Sequence, residues 1–268
     1  MGMRKYGKQI ALIALLAALA LALCACGADY CYDHAERYTA GDAAVSEPVR
    51  SLEIDWIDGS VTVLYGEGAE VILAETSENQ LEQRDLLRWW LDGDTLRVRY
   101  AEDGHHTDDQ LNKHLTVTLP RDTVPADLSV TTRSASVQVE GITMEKGHWT
   151  TASGRVTAAF DAEEAEITTA SGGVRLTVGH AGKVDVTTAS GSVSVDAGAF
   201  DALDVNTASG AITLAVKQTG FTAEITSASG KLTDHLGMRT QDEQYVYGDG
   251  GASVGLHTAS GHITVEGQ

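Results

Sequence analysis

The chain has 268 residues and a formal net charge of −19, with 19 Lys and Arg against 38 Asp and Glu. A surface this acidic repels phosphate backbones and anionic headgroups, which argues against a nucleic-acid partner and against a membrane protein held by charge alone. With 43% hydrophobic residues, 28 Gly and only 3 Pro, the composition is that of a folded chain, neither collagen-like nor disordered.

Met1 to Lys8 is short and basic, and Ile10 to Leu23 is an unbroken apolar run, which is the plan of a signal peptide. The run is shorter than the roughly 20 residues of a spanning helix. It ends in Leu23-Cys24-Ala25-Cys26-Gly27, which resembles the lipobox of bacterial lipoproteins. Residues 1–25 are therefore read as a leader, and Cys26 as the lipidated new N-terminus whose acyl chains enter the membrane. An uncleaved anchor and plain secretion are the other two readings of the same segment. Cys24, Cys26 and Cys31 are the only cysteines, so no disulfide framework is expected in the folded body. Residues 26–50 are polar and weakly patterned, and are expected to form a flexible tether.

The next stretch, 51–122, reads as a β-rich cap. Leu52, Ile54 and Trp56 alternate, Asp58-Gly59 gives a hairpin signal, and Val61 and Val63 continue the alternation. Val71 and Leu73, Trp89 and Leu91, then Leu96, Val98 and Tyr100 around Asp92-Gly93-Asp94 add further strands. Leu115-Thr116-Val117-Thr118-Leu119-Pro120 closes the region.

From 123 to 268 the chain repeats itself. Thr-Ala-Ser-Gly occurs at 151–154, 169–172, 188–191, 207–210 and 258–261, with Ser-Ala-Ser-Gly at 227–230 and a degenerate copy at Thr132-Arg133-Ser134-Ala135. Successive third-position serines are 19, 18, 19, 19, 20 and 31 residues apart. Four positions before each serine stand Val130, Trp149, Ile167, Val186, Val205, Ile225 and Leu256. Three positions after stand Val137, Val156, Val174, Val193, Ile212, Leu232 and Ile263. Both columns are wholly apolar and their flanks alternate with period two, so each unit is strand, corner, strand. One such unit cannot bury its apolar side, but successive units stacked in chain order at the ~4.8 Å strand spacing can. The fold class is thus all-β: a β-solenoid of roughly 19-residue turns, continuous with the cap. Its structural corners are Ser153-Gly154, Ser171-Gly172, Ser190-Gly191, Ser209-Gly210, Ser229-Gly230 and Ser260-Gly261, where glycine is expected to supply a positive φ. The Thr two before each Ser should point inward. Three before each Ser, Thr150, Thr168, Thr187, Asn206, Thr226 and His257 should form an outward stripe that could serve as a docking surface.

These residues resemble a known bacterial family, the "putative adhesin" group of β-strand-repeat envelope proteins. The resemblance rests on the Thr-Ala-Ser-Gly-x-Val/Ile units, the Leu-Thr-Val-Thr-Leu-Pro-Arg-Asp run at 115–122 and Gly248-Asp249-Gly250-Gly251, and covers about residues 50–268. It implies an extracytoplasmic, β-helical, non-enzymatic protein, and supplies no catalytic residues to transfer.

No catalytic or metal constellation competes with that reading. His105, His106, Asp108 and Asp109 share one loop, better read as solvated and acidic than as a metal site. The repeated serines lack a His and acid at repeated spacing, and Asp161, Glu163, Glu164, Glu166, Asp185, Asp196, Asp201 and Asp204 look irregular rather than aligned in one column. No cofactor is expected. The expected function is that of a lipid-anchored, non-catalytic binding, adhesion or envelope-stress-sensing module, its partner a cell-wall polymer, an envelope protein or a cationic peptide. A carbohydrate-active β-helix enzyme and a purely structural spacer are the alternatives.

Overall fold

The computed structural model describes residues 29–106 and 111–268, so the leader and Cys26 lie outside the described residues. The stretch expected to be a tether instead carries short paired strands from its first described residues. Strand β1 (Asp29–Tyr30), a 3-10 turn at Ala35–Arg37, β2 (Thr39–Ala40) and β3 (Ala43–Val45) lead into the cap. Tyr30 and Val45 are buried. Short polar segments escape disorder when existing strand edges offer their backbone groups partners, and local composition does not register that.

The cap comprises β4 (Ser51–Trp56), β5 (Ser60–Gly66), β6 (Val71–Ser77), β7 (Arg88–Asp92), β8 (Thr95–Arg99), β9 (His105–His106) and β10 (Lys113–Pro120). The three leading strands pair antiparallel with β9, β7 and β6 respectively. Asp92-Gly93-Asp94 makes the expected hairpin between β7 and β8, with Gly93 at φ 65°. Asp58-Gly59 does not make one. Although Gly59 has φ 82°, β4 pairs in parallel with β8, Leu52 opposite Leu96, and β5 pairs in parallel with β10, Val63 opposite Val117. Ile57 to Gly59 is therefore a solenoid corner, and the cap supplies two coils of the same stack.

The solenoid proper begins with β11 (Asp127–Thr132), β12 (Ser136–Thr151), β13 (Val156–Thr169), β14 (Val174–Thr188), β15 (Val193–Thr207) and β16 (Ile212–Val216). Pairing is parallel and in repeat register: Val137 opposite Val156, Val156 opposite Val174, Ile167 opposite Val186. Each coil has two faces joined at the Thr-Ala-Ser-Gly corner. The long strands bend halfway, at Gly141 (φ 63°) in β12 and at a register shift between Phe160 and Ala162 in β13. Both predicted apolar columns point inward; Val130, Trp149, Ile167, Val186 and Val205 are fully buried. Trp149 packs edge-on against Phe160, ring centroids 5.2 Å apart, filling the wider part of the core.

The chain of the last two repeats departs from sequence order. It forms β17 (Phe221–Ser227), β18 (Leu232–Asp234), β19 (Arg239–Gln241), β20 (Gln244–Tyr247), β21 (Ala252–Thr258) and β22 (Ile263–Gly267). The final repeat, β21 and β22, lies between β15/β16 and β17/β18, parallel to both neighbours. The 31-residue spacing between the last two serines is the chain needed to leave a gap, turn back and fill it. The β19–β20 hairpin covers the outer edge of β17, so the terminal coil does not present a full open edge.

The corners are built differently from expectation. The inward threonines are buried as predicted, Thr169 and Thr188 completely, and each accepts a hydrogen bond from the glycine amide three residues on: Gly172 to Thr169 Oγ1 at 2.9 Å, Gly191 to Thr188 Oγ1 at 2.9 Å. The serine hydroxyls donate to main-chain carbonyls of the neighbouring coil, Ser171 to Ala152 at 3.2 Å and Ser190 to Ala170 at 3.4 Å. None of Gly154, Gly172, Gly191, Gly210, Gly230 and Gly261 has a positive φ. They are required by close approach: a Cβ on Gly172 would lie 1.8 Å from the Gly154 carbonyl oxygen, and one on Gly191 1.9 Å from that of Gly172.

Candidate functional site

Strand alternation places one set of side chains in the core and the other on a flat outer face. On the face carrying the predicted stripe, Thr131, Thr150, Thr168, Thr187 and Asn206 stack in adjacent coils. The inserted repeat then reverses the predicted order, with His257 opposite Asn206 and Thr226 outermost. All six predicted stripe residues are half-buried, flanked by neighbours rather than projecting.

Two residues earlier on each strand is a column that the sequence reading called irregular. His148, Glu166, Asp185 and Asp204 stand opposite one another in consecutive coils, followed by Gly255 and Glu224. The irregularity belonged to counting acids along the chain; counted from each corner serine, all fall five residues before it. Asp161, Glu163, Asp196 and Asp201 lie elsewhere. The two columns run side by side, so a carboxylate stands beside a hydroxyl in Glu166 with Thr168 and Asp185 with Thr187, and beside an amide in Asp204 with Asn206, every roughly 4.8 Å.

The ends of the acidic column differ in their electrostatics. His148 sits between Asp127 and Glu166, its ring nitrogens 3.7 and 3.8 Å from their carboxylates. Lys183 lies beside the middle, 2.5 Å from Asp185 and 4.0 Å from Glu164. Asp204 is more enclosed. Asn206 Nδ2 donates to its Oδ1, and its other oxygen leans over Gly255, where a Cβ would meet Asp204 Oδ2 at 2.4 Å and His257 Nε2 at 3.1 Å. His257 is oriented through its other nitrogen, 2.8 Å from the Thr226 hydroxyl. Burial chiefly raises the Asp204 pKa, with the Asp185 charge adding to the effect and His257 and the Asn206 hydrogen bond opposing it.

That shift sets a pH dependence. A carboxyl whose pKa is higher in the folded than in the unfolded state favours folding while protonated, and the contribution is lost as pH rises through the folded-state value. Asp204→Asn should therefore flatten the decline of the unfolding midpoint as pH rises above about 4, measured by thermal unfolding across acidic pH. A profile indistinguishable from that of the unaltered protein would refute the assignment.

At the cap end the same face is closed off. Arg97 and Arg99 both ion-pair with Glu53, and the Tyr32 and Tyr38 rings lie 5.9 and 5.8 Å from the Arg99 guanidinium. The opposite face also carries stacked hydroxyls, including Thr62, Thr116, Thr157, Ser194, Thr213 and Thr264, but Gln138 and exposed Arg175 interrupt them. The sequence reading missed this second column, which stands four residues after each corner serine.

Of the His/Asp loop, only the two histidines lie among the described residues. His105 is buried with Nδ1 3.6 Å from Asp85, whereas His106 is exposed; Asp108 and Asp109 lie outside the described residues. Among the described residues no three His, Cys, Asp or Glu side chains are grouped so as to hold a metal ion. Nor, among them, is any helix long and apolar enough to cross a membrane.

A structure described as a "putative adhesin" from Bacteroides fragilis is 10% identical, with 87% of this chain and 98% of that one aligned at a TM-score of 0.49. One described as a "putative lipid binding protein" from Parabacteroides distasonis is 12% identical, covering 86% and 98%, at a TM-score of 0.45. A "putative cell adhesion protein" from Clostridium sporogenes is 11% identical, covering 86% and 100%, at 0.30. No curated protein matches the chain. The family model described as Toastrack DUF4097 matches residues 49–262, from the first cap coil to the last corner, and this β-solenoid belongs to that family.

Proposed function

We propose that the protein is a lipid-anchored, non-catalytic binding module on the outer face of a bacterial cell membrane, and that it engages a repeating envelope or extracellular polymer rich in amines and hydroxyls. The observation that carries this reading is the grid of Glu166, Asp185 and Asp204 beside Thr168, Thr187 and Asn206. A rigid face offering a carboxylate beside a hydroxyl or amide at each of these coils suits a ligand with its own repeat, and the net charge of −19 favours a cationic one. The anchor rests on the Leu23-Cys24-Ala25-Cys26-Gly27 motif. One observation favours the carbohydrate-active alternative: Asp204 has Glu224 two coils away in the same column, and a pair of carboxylates suits acid-base cleavage of sugars.

Binding of the protein lacking residues 1–28 to peptidoglycan, teichoic acids, neutral polysaccharides and cationic peptides, with product analysis of each carbohydrate, separates these readings. Salt-sensitive binding without turnover is expected. Glu166→Gln and Asp185→Asn should each weaken it by up to about fivefold, the scale of one exposed charge contact. Release of shorter sugars would overturn the non-catalytic reading, and absence of any binding would leave a spacer. For the anchor, Cys26→Ala should move the full-length protein from the membrane to the soluble fraction; a variant that stays with the membrane would identify the apolar run as the anchor.

A further inference from the structure

The cap encloses a buried chamber with chemistry that the outer faces lack. Lys113 of β10 is fully buried, and its Nζ donates to the main-chain carbonyl oxygens of Asp85 and Tyr100. The Trp56 and Tyr100 rings wall the amine, with centroids 5.0 and 4.5 Å away. β6 and β10 are antiparallel, with Glu75 opposite Leu115 and Ser77 opposite Lys113, so Glu75 and Lys113 are diagonal neighbours. Side-chain exposure is 0% for Lys113 and 4% for Glu75.

The two groups meet in an arrangement suited to more than an ion pair. Glu75 Oε2 lies 2.8 Å from Lys113 Nζ, within hydrogen-bond reach of the ammonium. The ammonium's other two hydrogens face the carbonyl oxygens of Asp85 and Tyr100. The other carboxyl oxygen, Oε1, is gripped by the Leu87 N–H at 2.7 Å. The carboxyl is thus held at one oxygen by a backbone donor and touched at the other by an amine whose pKa burial lowers, with Glu75 as the main opposing influence. A charged pair in such a chamber gains little net stability, because desolvation offsets the attraction. A neutral amide joining the same atoms would leave no charge to solvate.

We propose that Lys113 and Glu75 condense after folding, forming an intramolecular amide between Nζ and Cδ that staples β6 to β10. A proton passes from the ammonium to the carboxylate, giving a neutral amine and a carboxylic acid. The Nζ lone pair then forms the bond to Cδ, while the Leu87 N–H stabilises the charge that develops on Oε1. The Cδ–Oε2 bond breaks, and Oε2 leaves as water with the carboxyl proton and one amine proton. Oε1 remains as the amide oxygen, still bonded to Leu87, so atoms and charges balance with no oxidant or cofactor. The fold supplies the driving force by holding the reactants in contact and away from competing water. Among the described residues the only cysteine is exposed Cys31, so this bond would be the covalent cross-link of an otherwise disulfide-free body.

Tryptic mapping of the full-length protein after denaturation tests this. The expected product is peptide 51–84 joined to 100–121, uncut after Lys113, at the summed mass less one water, with fragmentation placing the branch at Glu75 and Lys113. Glu75→Ala should give separate peptides. Glu75→Gln should give the same branched product through loss of ammonia rather than water, an outcome that a merely structural ion pair does not produce. Recovery of free 51–84 and 100–113 from the unaltered protein would overturn the proposal whether or not the variants fold. So would a branch at Asp58 or Asp85 in place of Glu75.

Discussion

Gly191→Ala is expected to cost about 1–3 kcal/mol or more, the range for forcing extra atoms into a packed interior, although it adds one methyl group at a corner. The added Cβ would lie 1.9 Å from the Gly172 carbonyl oxygen and 2.8 Å from its carbon. Neither can retreat, because Gly172 is itself stacked against Gly154 and the strands on either side are in parallel register. Relief would have to come from parting two coils, which strains the Ala189 and Ser190 amide bonds to the Thr169 and Ala170 carbonyls and the column of buried valines beside them. Gly173→Ala is the matched control: its Cβ would meet only the Ser192 carbonyl oxygen, at 3.7 Å, and it should be near neutral. Urea unfolding followed by circular dichroism makes the comparison, and equal midpoints for the two variants would refute the close-approach account.

The second large effect concerns the out-of-order repeat. Leu256→Ala should cost about 2–5 kcal/mol, the range for truncating a leucine in a closed core, because β21 is sandwiched between β15 and β17 and Leu256 is fully buried. Ile225→Ala should cost less than half as much, since its coil is outermost and its side chain only half-buried. If the coils stacked in chain order, Leu256 would be terminal and the ranking would reverse. Equilibrium unfolding of the two variants decides between the arrangements. Removal of residues 252–268 sharpens the contrast. In a stack where each coil contacts only its neighbours, hydrogen exchange should lose protection across 221–247 while 51–207 stay protected.

Much of the fold was legible in the residues because a solenoid is a local rule applied repeatedly. The two apolar columns, the inward threonines and the roughly 19-residue period each follow from alternation about a fixed corner, and all three are present in the structure. The misreadings have one cause. The tether, the Asp58-Gly59 hairpin and the chain-order stack were inferred from near neighbours in sequence, whereas each is settled by which distant strand edge is free to pair. Asp58-Gly59 shows this well: its turn chemistry is sound, Gly59 does take a positive φ, and yet the strands it joins find partners in β8 and β10 rather than in each other.

The candidate site divides along the same line. The hydroxyl column was readable because it repeats a residue type, whereas the carboxylate column mixes His, Glu and Asp and emerges only when positions are counted from each corner. The sequence alone determined the all-β class, the coil period, the inward columns and the acidic character, because these depend on composition and short-range alternation. Tertiary structure alone decided that the corner glycines answer to a carbonyl in the next coil rather than to their own φ, that the last repeat enters inside the one before it, and that Lys113 meets Glu75 across 38 residues of chain. Each of these is a contact between segments far apart in the chain, and such contacts come into being only when backbone edges and buried charges are satisfied all at once.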